Sequence, residues 1–222
     1  MKLFDPDHIF MRILTAVTNL ILLNWMFLLC SIPLVTLGAS LTALHSVTLQ
    51  MIRGEEPGVV STFLRAFREN FLQGTVLFFL MLAFGLVIVG DFVLIPVLMR
   101  GIAVLLFGVV AVVLLFLWLM MIPYLFPLQA RFVNTVGITV KNAAIMGMTN
   151  LPSTILVLGL SAVIPAFLYV FPGTLPFVLQ LSLFVLFSGQ VYWMDRIVYR
   201  VFLKAIPAER ELLEKWNADK NA

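Results

Sequence analysis

His45 is the residue in this sequence best suited to chemistry. Its imidazole titrates near neutral pH, and it sits in a moderately apolar stretch where an ionisable group raises a functional expectation. It could line a path or sense pH; equally it could be a hydrogen-bonding link between helices, a common use of His, Asn and Gln inside membranes. Asn19 and Asn24, Gln50, Gln180 and Gln190 pose the same choice in other apolar runs. Pro33 and Gly38 form a second kind of candidate. Pro33 removes a backbone donor and Gly38 permits tight packing or a break. Such irregular backbone can mark a substrate site in a broken transporter helix, or simply a hairpin bend.

No other chemistry is legible. The chain has no phosphate-cradling loop, no nucleophile elbow and no His-Glu-x-x-His. His8 and His45 are its two histidines, Cys30 its one cysteine, and its acids read as scattered over tails and loops. Neither a metal centre nor any other cofactor is expected, and an enzyme is not. Cys30, in an apolar run, reads as a small hydrophobe.

The elements that must position these residues follow from composition. Of 222 residues, 62% are hydrophobic and 11% charged, against about 25% charged in a soluble domain. Mean hydropathy is +1.10. A water-soluble fold could not hide that much apolar surface, so its surroundings must be lipid. The fold class expected is all-α, a polytopic transmembrane helical bundle.

Spanning the ~30 Å hydrocarbon core takes about 20 apolar residues. Ile13–Ile32, Thr75–Ile95, Ile102–Ile122, Thr154–Phe171 and Leu175–Met194 qualify. Pro172-Gly173-Thr174 forms the turn between the last two. The first run lacks a cleavage site and reads as a retained span. Leu34–Ile52 is ambiguous, because Thr36, Ser40, Thr42, His45, Ser46, Thr48 and Gln50 dilute its hydropathy.

Short loops rich in Lys and Arg stay in the cytoplasm. If Leu34–Ile52 does not cross, five spans place 11 of the 14 basic residues inside; if it crosses, six spans place 13 of 14 inside, with both termini cytoplasmic. Charge counting therefore favours about six spans, with five possible. The basic segments follow three helical hairpins, with Arg65, Arg68, Arg131 and Lys141 as anchors at the inner interface. Trp118, Tyr124, Tyr192 and Trp193 fall near that interface on the same count. A nucleic-acid partner is not expected, since this spread of charge is what topology alone produces.

Two domains are expected: a bundle over 1–195 and a cytoplasmic helical tail over 196–222. Within the first, an amphipathic helix lies near 59–72. Phe63, Ala66, Phe67 and Phe71 form its apolar stripe opposite Arg65, Arg68 and Glu69. It can lie on the lipid interface or pack under the bundle. Glu209 and Glu211 begin the tail helix after Pro207, where the helix dipole favours acids.

Several blocks of sequence carry a family resemblance. Asn19-Leu20 through Asn24-Trp25, then Ser31-Ile32-Pro33-Leu34-Val35-Thr36-Leu37-Gly38, resemble the opening signature of the YesL-like family, bacterial multi-pass membrane proteins of unknown function. The likeness continues in Phe63–Phe71 with Gln73-Gly74, in Ala130-Arg131-Phe132, in Val140-Lys141-Asn142-Ala143 and in Leu151-Pro152. The resemblance implies a small protein of the bacterial cytoplasmic membrane. It also implies genes lying beside carbohydrate-uptake systems, with a sugar transport permease or a sensor kinase as membrane partners. No catalytic residues carry over from it. The expected function is accessory to carbohydrate uptake or sensing; the alternative is a small solute transporter or channel component.

Overall fold

The computed structural model describes residues 9–55 and 58–221. His8 and Lys2 lie outside them. All ten helices among the described residues are α1 (Ile9–Ser31), α2 (Leu37–Ile52), α3 (Val59–Glu69), α4 (Phe71–Leu98), α5 (Ile102–Arg131), α6 (Val136–Thr149), α7 (Leu151–Val170), α8 (Leu175–Phe184), α9 (Leu186–Ala205) and α10 (Pro207–Asn221). Five stretches are long and apolar enough to cross a membrane, or six if the bent pair α8–α9 counts as one. The protein is a multi-pass, membrane-embedded helical bundle.

The longest helices, α4 and α5, form an antiparallel hairpin closed by Gly101, whose φ of +63° suits a residue without a side chain. With 28 and 30 residues they run about 42–45 Å, more than the hydrocarbon core requires. The reading that ended the fourth span at Ile122 is corrected. Helix α5 passes through Pro123 and Pro127 to Arg131, as membrane helices tolerate where neighbours pack against the freed backbone. Helix α6 supplies that neighbour. A Cβ at Gly147 would sit 2.0 Å from the Met120 carbonyl oxygen, so the backbones of α5 and α6 touch.

Two of the aromatic residues expected near the interface bond to neighbouring helices. Trp118 donates to the Met81 carbonyl at 3.0 Å, within the α4–α5 pair. Tyr124 is fully buried and its hydroxyl meets Thr154 Oγ1 at 3.2 Å. Both act as interhelical links.

Arg53, Arg65, Arg68, Arg131 and Lys141 lie on segments that gather at one end of the bundle, here the charged end. Its level is fixed by Gln129 near the end of α5, which donates to Asn70 and Gln73 at the start of α4, at 3.0 and 2.6 Å. Both ends of α2 are at this level. At its start, Gly38 meets Gly74, where a Cβ would lie 2.0 Å from the Gly74 carbonyl oxygen, and Thr75 donates to the Val35 carbonyl at 3.2 Å. At its finish, Arg53 lines a pocket together with Arg131 and Glu209. Helix α2 therefore lies across the base of the α4–α5 pair. Length and composition admit Leu34–Ile52 as a span, but its packing is that of a lateral helix. Both the six-span count and the five-span alternative stay within what length and composition admit, and burial sets this segment apart from the other candidates. Of that segment 61% is inside the protein, against 6–17% for the other four straight candidates. Its Thr and Ser residues face protein and need no lipid.

Helix α3 doubles back along α2 after the turn at Gly54 (φ +77°). Val59, Phe63 and Ala66 are buried against Ala43 and Val47 of α2 and Leu23 and Phe27 of α1, while Arg65 and Arg68 stay exposed. Of the two readings of the amphipathic helix, packing under the bundle describes these contacts. Pro33 sits in the α1–α2 turn, between exposed Ile32 and Leu34, and its carbonyl accepts from the Thr36 amide at 2.9 Å. It marks the turn between the two helices.

Two further expectations change. Leu175–Met194 is not one straight span, because α8 and α9 meet at Val185 with a 72° bend. The boundary at 195/196 falls inside α9, which continues to Ala205 because Val198, Val201 and Phe202 are buried in the core, Phe202 edge-on to Phe132. The separate tail helix is α10.

Candidate functional site: a buried polar seam between α2 and α9

Three side chains at the centre of the charged half bond to one another. His45 Nδ1 lies 2.8 Å from Asp195 Oδ1, and Thr48 donates its hydroxyl to Asp195 Oδ2. Asp195 and Thr48 are fully buried and His45 nearly so. The local sequence explains the arrangement. His45 and Thr48 are three apart on α2 and so share a face. Asp195 projects from α9, whose exposed face carries Arg196 and Arg200. A carboxylate removed from water needs hydrogen-bonding partners, and here it has two, the His45 ring nitrogen and the Thr48 hydroxyl.

Asn24 forms the second part of the seam. Where α8 breaks, the last carbonyls of α8 and the first amides of α9 lack helical partners. The Asn24 amide nitrogen donates to the Ser182 carbonyl at 2.8 Å, and its carbonyl oxygen accepts from the Ser188 backbone amide at 3.2 Å. One side chain thus caps both sides of the break. Ser188 adds a bond from its hydroxyl to the Leu20 carbonyl at 2.7 Å.

The structure brings Asn24 and His45 into this seam and leaves the other candidates out. Asn19 and Gln50 are half-buried on α1 and α2. Gln190 donates to the Leu160 carbonyl at 2.9 Å, tying α9 to α7, and Gln180 is exposed. Gly38 serves close packing. Arg65, Arg68 and Lys141 are exposed, whereas Arg131 pairs with Glu209 at 2.7 Å. Sequence reasoning missed Asp195, Gln129 and Glu209. The acids are not all in tails and loops: Asp195 sits within α9, directly after the apolar run that ends at Met194, and that position was the signal the sequence offered.

Chemically, His45 and Asp195 form a buried, hydrogen-bonded pair of ionisable groups. No cavity described at the charged end includes either residue. A pocket of about 180 Å³ is lined by Arg53, Glu55, Arg131, Tyr199 and Glu209, and one of about 520 Å³ by Asn70, Gln73 and Gln129 among others. A groove of about 340 Å³ runs along α7 and α9 past Leu160, Gly189 and Trp193. Among the described residues, no group of three His, Cys, Asp or Glu side chains is placed to share a metal ion.

Residues 20–92 match a family model described as "Protein of unknown function, DUF624". The match is consistent with the resemblance carried by the Asn19–Gly38 and Phe63–Gly74 blocks and does not extend to the later ones. It takes in Asn24, Gly38, His45 and Gly74, and leaves out their partners Ser182, Ser188 and Asp195. No curated protein and no solved structure matches the chain.

Proposed function

We propose that this membrane-embedded bundle is an accessory component of carbohydrate uptake or its sensing. It acts through contacts with other membrane proteins and performs no covalent chemistry of its own. The carbohydrate assignment rests on the family resemblance. The observation that supports an accessory role is the closure of the polar seam: His45, Thr48, Asp195, Asn24 and Ser188 bond to one another or to backbone, so they bind the helices together. The charged end, with exposed Arg65, Arg68 and Lys141 and the α10 tail, is left as the contact surface. A sugar transport permease or a sensor kinase is the partner proposed.

By the positive-inside rule the charged end faces the cytoplasm of a bacterial cell. Helix α10 lies on that side. Because α2 runs laterally and the α1–α2 turn is at the charged end, a crossing α1 would start from the opposite face. A cysteine introduced at Ser31 reports this directly. Labelling from the cytoplasmic side supports the arrangement, and labelling from outside supports the six-span topology. For the role itself, a photo-crosslinker at Lys215 should capture a permease or kinase of a carbohydrate-uptake system. A deletion strain that grows at the parental rate on every oligosaccharide tested would defeat the proposal.

The second reading, a small solute transporter or channel component, is favoured by the break at Val185 at the start of the helix that also carries the buried Asp195. Its test is flux: proteoliposomes should move a solute, and His45→Leu should change the rate. No flux across a broad solute panel sinks it.

A further inference from the structure

The pocket at the charged end has a feature its neighbours lack. It holds two ion pairs and, on each pair, a buried atom with nothing to bond. Arg53 bonds Glu55 through its terminal nitrogen at 2.9 Å, and Arg131 Nε bonds Glu209 Oε1 at 2.7 Å. The Arg53 Nε and the Glu209 Oε2 are both buried and both without a hydrogen-bond partner. The Glu209 side chain is only 4% exposed and that of Arg53 13%. Leaving such groups unpaired is costly, more so when they are charged.

The fold forces these residues together and holds them. Arg53 caps the end of α2 and Arg131 ends α5. The Arg131 guanidinium lies 6.0 Å over the Phe132 ring. Glu209 stands in the first turn of α10, and Leu212 and Leu213 close the pocket from the same helix. Tyr199 of α9 supplies the remaining wall. The formal charges of two arginines and two glutamates cancel, but they are separated in space. A bare anion drawn to Arg53 would meet the free Glu209 oxygen. A bare cation drawn to Glu209 would meet Arg53. A molecule carrying both signs satisfies both.

We propose that this pocket binds a small zwitterion, its oxyanion end on the Arg53 and Arg131 guanidinium groups and its ammonium end on the carboxylates of Glu209 and Glu55. The volume of about 180 Å³ equals roughly six waters at about 30 Å³ each. That suits a free amino-acid-sized zwitterion or the head group of an aminophospholipid, which share this chemistry.

The test uses full-length protein purified in detergent. Isothermal titration with free phosphoethanolamine and with glycine reads the aqueous source. Native mass spectrometry from nanodiscs of phosphatidylethanolamine or phosphatidylglycerol reads the lipid source. Inorganic phosphate, ethylammonium and glycerol are the controls for a lone anion, a lone cation and a neutral polyol. Binding of either free zwitterion identifies a soluble ligand; retention of phosphatidylethanolamine alone identifies a head group. In each case Glu209→Gln and Arg53→Gln should weaken binding about 10- to 100-fold, the loss expected for one charge-assisted hydrogen bond. Lys141→Gln, on an exposed residue of α6, should leave it unchanged. Should Glu209→Gln lose its thermal transition, Arg53→Gln gives the reading, because it keeps the Arg131–Glu209 pair. The proposal is overturned if no zwitterion binds from either source, if a control binds as tightly, or if the folded variants bind like the parent.

Discussion

The two halves of the bundle are built on different physics. In the charged half, helices are locked by backbone contact and polar bonds: Gly38 on Gly74, Gly147 on Met120, Gln129 on Asn70 and Gln73, and His45 and Thr48 on Asp195. In the far half, α4 and α5 present Leu86, Val87, Val93, Val97, Leu105 and Val109 to the outside, all more than half exposed. Glycines there, Gly90 and Gly108, have nothing within 4 Å of where a Cβ would be. Lipid tails are as apolar as leucine, so apolar surface alone does not draw helices together inside a membrane. Small residues and polar bonds do, and this chain concentrates them at one end. The charged half is therefore the folding nucleus expected of the protein, and the far half a lipid-facing extension.

The largest effect should come from breaking the closest approach. In Gly38→Leu the new Cβ would lie 2.0 Å from the Gly74 carbonyl oxygen, and backbone cannot yield as a side-chain tip can. Loss of the monodisperse peak in fluorescence-detected size exclusion is expected. A normal peak would show that α2 is not clamped there. Next comes Asp195→Leu. It leaves the buried His45 and Thr48 without their partner, at about 1–3 kcal/mol for each unpaired group, read as a fall in thermal or denaturant stability. The double variant His45→Leu with Asp195→Leu should recover part of that loss. A double variant as unstable as the sum of the singles would mean that the two residues do not couple.

How much of this was legible follows from what each contact needs. Gly38 stood out as a tight-packing or break residue and Pro33 as a bend, because both act through local backbone. The amphipathic stripe of α3 was legible for the same reason. The seam was not. His45 and Asp195 are 150 positions apart, and nothing in either neighbourhood points to the other. The lateral course of α2 was hidden because hydropathy measures how apolar a segment is, not which end of a neighbour it meets. Two basic residues favour the six-span count, while Thr42 and Thr48 of the same segment are buried among protein neighbours that no hydropathy count registers. The bend at Val185 carries no proline. Both of its broken ends are bonded by Asn24, 161 positions earlier by number, through one side-chain amide.

Asn24→Ala isolates that last point and has a smaller expected effect. It leaves the Ser182 carbonyl and the Ser188 amide without their cap, which costs about 1–3 kcal/mol for a buried unpaired group. If the bend depends on Asn24, spin labels on α8 and α9 should report a broadened distance distribution. A sharp, unchanged distribution would assign the bend to packing instead.

The smallest effect is the most informative about the far half. Gly90→Ala and Gly108→Ala each place a methyl where nothing lies within 4 Å. In a helix interior the exchange favours the helical state by roughly 0.5–1 kcal/mol. Stability in detergent should therefore be unchanged or slightly raised, the reverse of Gly38→Leu. The same variants measured in native membranes sharpen the comparison. Equal abundance and unchanged crosslinking from Lys215 would leave the far half facing only lipid. A loss of crosslinked partner with stability intact would mean that another helix seats against Gly90 or Gly108, so that the exposed half serves recognition and the charged half folding.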